Sequence, residues 1–488
     1  MHKFFPKLTA TVVLFCLSFS NLSAQDDDLP KDYLSKEFFS GRRAALRDIM
    51  PDNSVFVVFA YPTRTFSNDV DYLYHQNPDM YYFSGYKEPH SVLFIFKNEQ
   101  VDETGNKYAE LLFVQKRNAQ AEQWTGKRLG TEGAKEKLGI KMSFNGEDFK
   151  KFNIDFSKFD KIIFDRFPTD VPTNTRDNAS LSALIQQFKE KANIPDDISK
   201  DKRLDTRSYR ELTGKLREVK TDEEMGLLRK AIEISCMAHN EAMKAMRPDL
   251  SELELQGIQE YVHKKYGAEE VGYGSIVGAG ENGCTLHYEE NTKQKIGNNM
   301  VLMDVGAEYH GYTADVTRTV PVSGKFSTEE KLIYNLVYDA QEAAFAMLKN
   351  GADWGAVGQK ASDVIAEGLV KLGIIKNKAE VYKYYPHGLS HHIGLDVHDR
   401  GYSRTLKKGM VITIEPGIYI PSNSDCDKKW WGIAVRIEDD ALITENSYEL
   451  LSAFSPRKAE DVEKMVQQKS VLDNFKLPPL KSAEKKAF

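Results

Sequence analysis

Residues 301–320 read VLMDVGAEYHGYTADVTRTV, two apolar runs divided by a short polar stretch, each carrying one aspartate. The runs alternate as half-buried strands do, so 308–311 is expected to be the turn of a β-hairpin. With Tyr309 and His310 at its centre, Asp304 and Asp315 fall directly opposite each other, Cβ atoms about 4.5–5.5 Å apart on one face. Val301, Leu302, Met303 and Val305 leave Asp304 little water. Two ionised carboxylates that close repel, and once desolvated they require cations or a shared proton. The plainer alternative is an exposed hairpin in which Asp315 pairs with Arg318.

Two further acids repeat the pattern. Glu415 ends the apolar run MVITIEPG, stopped by Pro416 and Gly417, and Glu438 lies in AVRIEDDALI with Arg436 on the same strand face two residues earlier. Four carboxylates carry about four negative charges, which two divalent cations balance, and oxygen donors with one imidazole suit Mn²⁺, Co²⁺ or Zn²⁺. Metals about 3.5–4 Å apart would hold a bridging water, acidified enough to act as hydroxide in hydrolysis. The segment HGLSHHIGLDVHD (387–399) holds four of the eleven histidines. His387 and His391 have the spacing of a helical zinc site, but two intervening glycines and the carboxylates argue against one.

At 488 residues, 41% hydrophobic and 28% charged, the chain has the composition of a globular protein of two domains, and a net charge of −6 gives no footprint for nucleic acid. Residues 1–24 combine a basic start, an apolar run and a small residue before an acidic stretch, the pattern of a signal peptide cleaved after Ala24, which implies a periplasmic or secreted protein. No other segment is apolar and long enough to span a bilayer. Cys236, Cys284 and Cys426 remain, too few and odd in number for a disulfide framework. Short β-rich runs at 55–61, 91–96, 110–115 and 161–165 with intervening helices predict an α/β domain over 25–215. A long helical region then opens a second, catalytic domain over 216–466, followed by a lysine-rich tail at 467–488. GAGENG (278–283) matches a dinucleotide fingerprint, but the β-like CTLHYEEN that follows cannot open the required helix.

The segments MDVGAEYHGYTADVTRT, HGLSHHIGLDVHD, TIEPGIYI and VRIEDD, in that order, resemble the signature segments of the pita-bread metallopeptidases, and within them the aminopeptidase P (Xaa-Pro aminopeptidase) family. DYLYHQNPDMYYFSGYKEP and AEQWTGKRLG resemble that family's first domain, so the likeness runs from about residue 40 to 466. The resemblance implies a creatinase-like N-terminal α/β domain followed by a pita-bread, methionine aminopeptidase-like α+β catalytic domain. It also implies two divalent ions per subunit, manganese before cobalt or zinc, bound by Asp304, Asp315, His391, Glu415 and Glu438, with Asp315 and Glu438 bridging. Glu415 is expected to handle the nucleophile's proton, and His287, His387 and His398 to line the substrate path. Arg436 is expected to orient the bridging acid, Tyr273 to contact substrate, and Tyr81 to reach a neighbouring subunit's site in a dimer or tetramer.

The implied reaction removes the first residue from peptides with proline second, by attack of the bridging hydroxide. The chain departs from the family pattern at His392, where an aromatic wall residue is usual, in a shorter loop at 399–409 and in 421–432. Prolidase, which cuts only dipeptides with the same metals, is the alternative enzyme. A catalytically silent binding module conflicts with retention of all five ligands, and a cysteine hydrolase built on Cys284 and His287 lacks a base with an orienting partner.

Overall fold

The computed structural model describes residues 30–174, 177–473 and 477. The expected leader at 1–24 and most of the expected tail lie outside them.

Strand Ser54–Phe59 is buried at every position, as a central strand covered on both faces must be, which accounts for its unbroken apolar run. It pairs antiparallel with Val92–Val101 and parallel with Lys161–Phe164. Lys107–Val114 and Ser143–Asn145 on one side and Leu204–Asp205 on the other complete a six-stranded mixed sheet. Phe94, Phe113, Phe156 and Phe188 fill one face beneath helix Leu181–Ala192. Helices Lys36–Ile49 and Pro78–Ser84 belong to a second core shared with the later part of the chain.

The long helical region expected to open the second domain is two helices, Thr206–Arg217 and Asp222–Ala245, and the sequence boundary at 215 falls inside the first. The second begins with a capping box, Thr221 and Glu224 satisfying each other's backbone N–H groups, and the same device starts Glu252–Lys265 and Thr328–Phe345. These helices and Trp354–Lys371 pack on short antiparallel sheets. No helix follows GAGENG: Gly280–Cys284 is a single 3-10 turn, as rejection of a nucleotide site requires.

The hairpin forms, with a different register. Tyr309 pairs with Tyr312, so the turn centre is His310 and Gly311, both at positive φ (51° and 89°). A two-residue hairpin turn of this hand needs φ > 0 at both central positions, which Gly311 accepts and Tyr309 would not. Asp304 therefore faces Thr317, and Asp315 sits two residues earlier, diagonal to Asp304. A two-residue shift preserves the face, so the aspartates still converge. The hairpin changes sheets at Gly306, where an added Cβ would lie 1.9 Å from the Ala314 carbonyl oxygen. The second acid-bearing pair is broken in the same way. Glu415 separates Val411–Ile414 from Gly417–Ile420, Glu438 separates Ile433–Arg436 from Asp439–Ile443, and Glu438 bridges to Thr317.

Candidate functional site

The strand breaks open onto one cavity of about 380 Å³. Asp304, Asp315, His391, Glu415 and Glu438 line it, together with Tyr273, His287, His387, His398 and Arg436. Burial first, then repulsion from Asp304 and Glu415, holds the Asp315 carboxyl well above the usual range. Burial followed by Asp315 raises Glu438, and burial followed by Glu438 raises Glu415. The cluster wants positive charge beyond the single guanidinium of Arg436.

The Tyr273 hydroxyl lies 2.6 Å from Oδ1 of both Asp304 and Asp315. It has one proton to donate, so it satisfies only one ionised carboxylate at a time. His391 Nδ1 donates to the His392 carbonyl (2.9 Å), which leaves the Nε2 lone pair facing Asp315 Oδ2 at 3.4 Å and Glu415 Oε1 at 3.3 Å. One ligand atom each from Asp315, His391 and Glu438 lie within 4.8 Å of one another. Buried oxygen donors in excess, one correctly presented imidazole and an unmatched pair of acids fit a hard or borderline divalent cation.

Two expected outcomes follow. Tyr273→Phe should lower metal affinity about 10–100-fold, the usual effect of losing a hydrogen bond to a ligand, read by metal titration. A chelator should destabilise the protein, and by more at pH 8 than at pH 5. Acids whose folded pKa is raised cost nothing below the ordinary carboxylate range and the full amount above the raised value, and the cation removes that cost. Thermal melts with and without chelator at the two pH values check this.

The structure adds detail to the expected residues and places some of them differently. Arg436 clamps Asp304 Oδ2 and also donates to Tyr419 OH (2.8 Å) and Thr317 Oγ1 (3.1 Å), while Glu438 stands 4.0 Å away, so it steadies Asp304 more than Glu438. Tyr273 is bound to the acids themselves. His387 lines the cavity as expected, with its ring nitrogens 2.8 Å from the Gly388 carbonyl and 2.9 Å from Tyr419 OH, and burial lowers its pKa to about 4. Tyr81 does not line this cavity: it is 5% exposed, packed edge-on against Phe39, and borders a separate hollow with Leu73 and Leu395. His392 likewise is buried against Trp354, 4.7 Å between ring centroids, instead of forming cavity wall. His287 and His398 are exposed at the cavity, His398 edge-on to His391 at 4.3 Å. Burial pushes the Cys284 thiol up to about 12, which removes it as a nucleophile.

Sequence reasoning missed the supports. Thr317 donates to Glu438 Oε2 at 2.6 Å; its spacing of two from Asp315 was the available signal. Arg217, fully buried, pairs with Asp79 (2.8 Å), Asp396 (2.8 Å) and Asp399, and Lys220 also reaches Asp399 (2.6 Å). Asp396 and Asp399 flank His398, so this buried network fixes the loop that carries it.

The family model described as Metallopeptidase family M24 matches residues 226–445, and that described as Aminopeptidase P, N-terminal domain, matches 39–161. The chain is 35% identical over 445 residues to an Xaa-Pro aminopeptidase of Escherichia coli, covering 89% of this chain and 98% of that protein. It is 31% identical to human Xaa-Pro aminopeptidase 3 (85% and 81% covered) and 30% identical to the mitochondrial intermediate cleaving peptidase 55 of Arabidopsis thaliana (88% and 83%). Among solved structures, aminopeptidase P from E. coli with the inhibitor Pro-Leu matches with a TM-score of 0.77 at 34% identity, covering 89% of this chain and 98% of that one. The expected order, an α/β domain followed by a pita-bread α+β domain, is the fold these matches describe.

Proposed function

Because the chain belongs to metallopeptidase family M24, we propose that it is an Xaa-Pro aminopeptidase, releasing the first residue of peptides with proline second. The observation that carries this reading is the convergence of four strand-borne carboxylates and one presented imidazole on a single cavity. Asp304, Asp315, His391, Glu415 and Glu438 would hold two divalent cations, manganese before cobalt or zinc, which would supply charge neutralisation and Lewis acidity.

The chain's own groups do the rest. Glu415, its carboxyl raised by burial, is suited to take a proton from the nucleophile and pass it to the departing proline nitrogen. His398 and His287, exposed at the cavity, are placed to donate to the carbonyl oxygen as charge develops there. Thr317 and Arg436 hold two of the acids in place. Proline has no N–H to recognise, so Ile276, Leu286 and Val397 in the wall select its ring by shape.

Hydrolysis of an Xaa-Pro-Xaa tripeptide beside an Xaa-Pro dipeptide, across Mn²⁺, Co²⁺ and Zn²⁺, tests the reading. Tripeptide cleavage that falls when proline is replaced supports it; exclusive dipeptide cleavage would make the protein a prolidase, and no hydrolysis or bound metal a silent module. Export by 1–24 to a periplasmic or secreted location, and dimer or tetramer formation, belong to the same proposal. Among the described residues, no helix is long and apolar enough to cross a membrane.

A further inference from the structure

The catalytic cavity continues beyond its own walls. Val397 and His398 line both it and a second hollow of about 350 Å³. That hollow shares His75, Glu308 and Leu395 with a third, of about 510 Å³, lying against the segment 72–78. The three hollows share wall residues in succession and so mark out a trough from the metal ligands, past His398, to the first half of the chain.

The far end of the trough has a definite chemistry. Tyr72, Leu73, Tyr74, Pro78 and Leu395 form an apolar lining. Tyr72 and Leu73 are 57% and 74% exposed, and Phe66 packs edge-on to Tyr72 at 5.0 Å on the adjoining ribbon. Large apolar side chains held open to water beside a cavity are a signature of binding. The charged groups on its rim are already engaged: Glu308 with His75 at 2.9 Å, Glu269 with His310 at 2.5 Å, Glu270 with Lys264 at 3.5 Å, and Lys87 over the Tyr81 ring at 5.2 Å. A neutral apolar group is therefore the ligand that loses least on entering.

We infer that this trough is a distal subsite, binding an apolar or aromatic side chain located several residues downstream of the scissile bond in long peptide substrates. The inference rests on the aminopeptidase reading above. An enzyme that removes the first residue places the amino terminus at the metals, so only downstream chain can extend outwards, and an extended chain gains about 3.3–3.6 Å per residue. The trough continues from the catalytic cavity along the side that carries His398, which makes downstream substrate its occupant.

The test is a series of alanine hexapeptides with proline second and a single phenylalanine moved through positions three to six, beside the tripeptide, in the metal-loaded enzyme. In the unsubstituted protein one of the distal positions should raise kcat/KM about tenfold, the scale of discrimination a hydrophobic pocket gives for small apolar differences. In a Tyr72→Ser, Leu73→Ser double variant, altered only at exposed positions, the ratio of that hexapeptide to the tripeptide should fall towards one. Tripeptide cleavage with no distal preference, or a preference unchanged in the variant, overturns the inference alone. A variant whose oligomeric mass changes while the preference persists also overturns it, assigning the patch to a second copy. Failure of the unsubstituted protein to cleave the tripeptide overturns the aminopeptidase reading and the inference with it.

Discussion

Asp315→Ala is expected to reduce kcat/KM on an Xaa-Pro tripeptide by about 10³-fold or more. Asp315 faces Asp304 through the Tyr273 hydroxyl, His391 across 3.4 Å, and Glu438 within the same group of ligand atoms, so its loss removes an anchor shared by the whole cluster. A metal centre contributes several kcal/mol of transition-state stabilisation, and each 1.36 kcal/mol is tenfold in rate. The fold should survive, because one buried acid of raised pKa is being removed from a set that repels. Metal content measured beside circular dichroism separates the two effects: low metal with a native spectrum is expected, and full activity with full metal would remove Asp315 from the site.

Arg217→Met is the second large effect, on stability. It takes a partner from buried Asp79 and Asp399, which retain Arg400 at 3.4 Å and Lys220 at 2.6 Å, and from Asp396, which is 41% exposed; breaking a buried pair by removing one partner typically costs about 3–5 kcal/mol. Against the cost of burial, Arg217 and Lys220 hold Asp399 below the usual carboxylate range. An acid with a depressed folded pKa contributes stability that is present above its unfolded value and lost as pH falls through the folded one. The deficit of the variant should therefore be widest near neutrality and narrow in acid, measured by denaturant titration at several pH values. Equal deficits at all pH values would mean lost packing rather than lost charge pairing.

Much of this was legible beforehand because it is local. The apolar run at 55–61 read as a strand, and acids among aliphatic residues read as a charged interior, whereas the capping pair Thr221 and Glu224, equally local, was passed over and two helices were read as one region. The hairpin register was not, since it depends on which two residues adopt positive φ, and Gly311 rather than Tyr309 decides that. The supports were hidden for a different reason. Arg217 meets Asp79 across 138 positions and Asp399 across 182, and no periodicity reports a pairing at that range. The packing of Tyr81 against Phe39 was not legible either, because an aromatic position carried over by resemblance says nothing about which way its ring packs.

The ligands leave the backbone from within or immediately beside buried strands, and none of the four acids sits on a free loop. Side chains on such a frame cannot swing clear as those of surface loops do on the nanosecond timescale. The spacing of the donors is therefore set by the sheets before any ion arrives, and a bound ion must adapt to the donors rather than the donors to it.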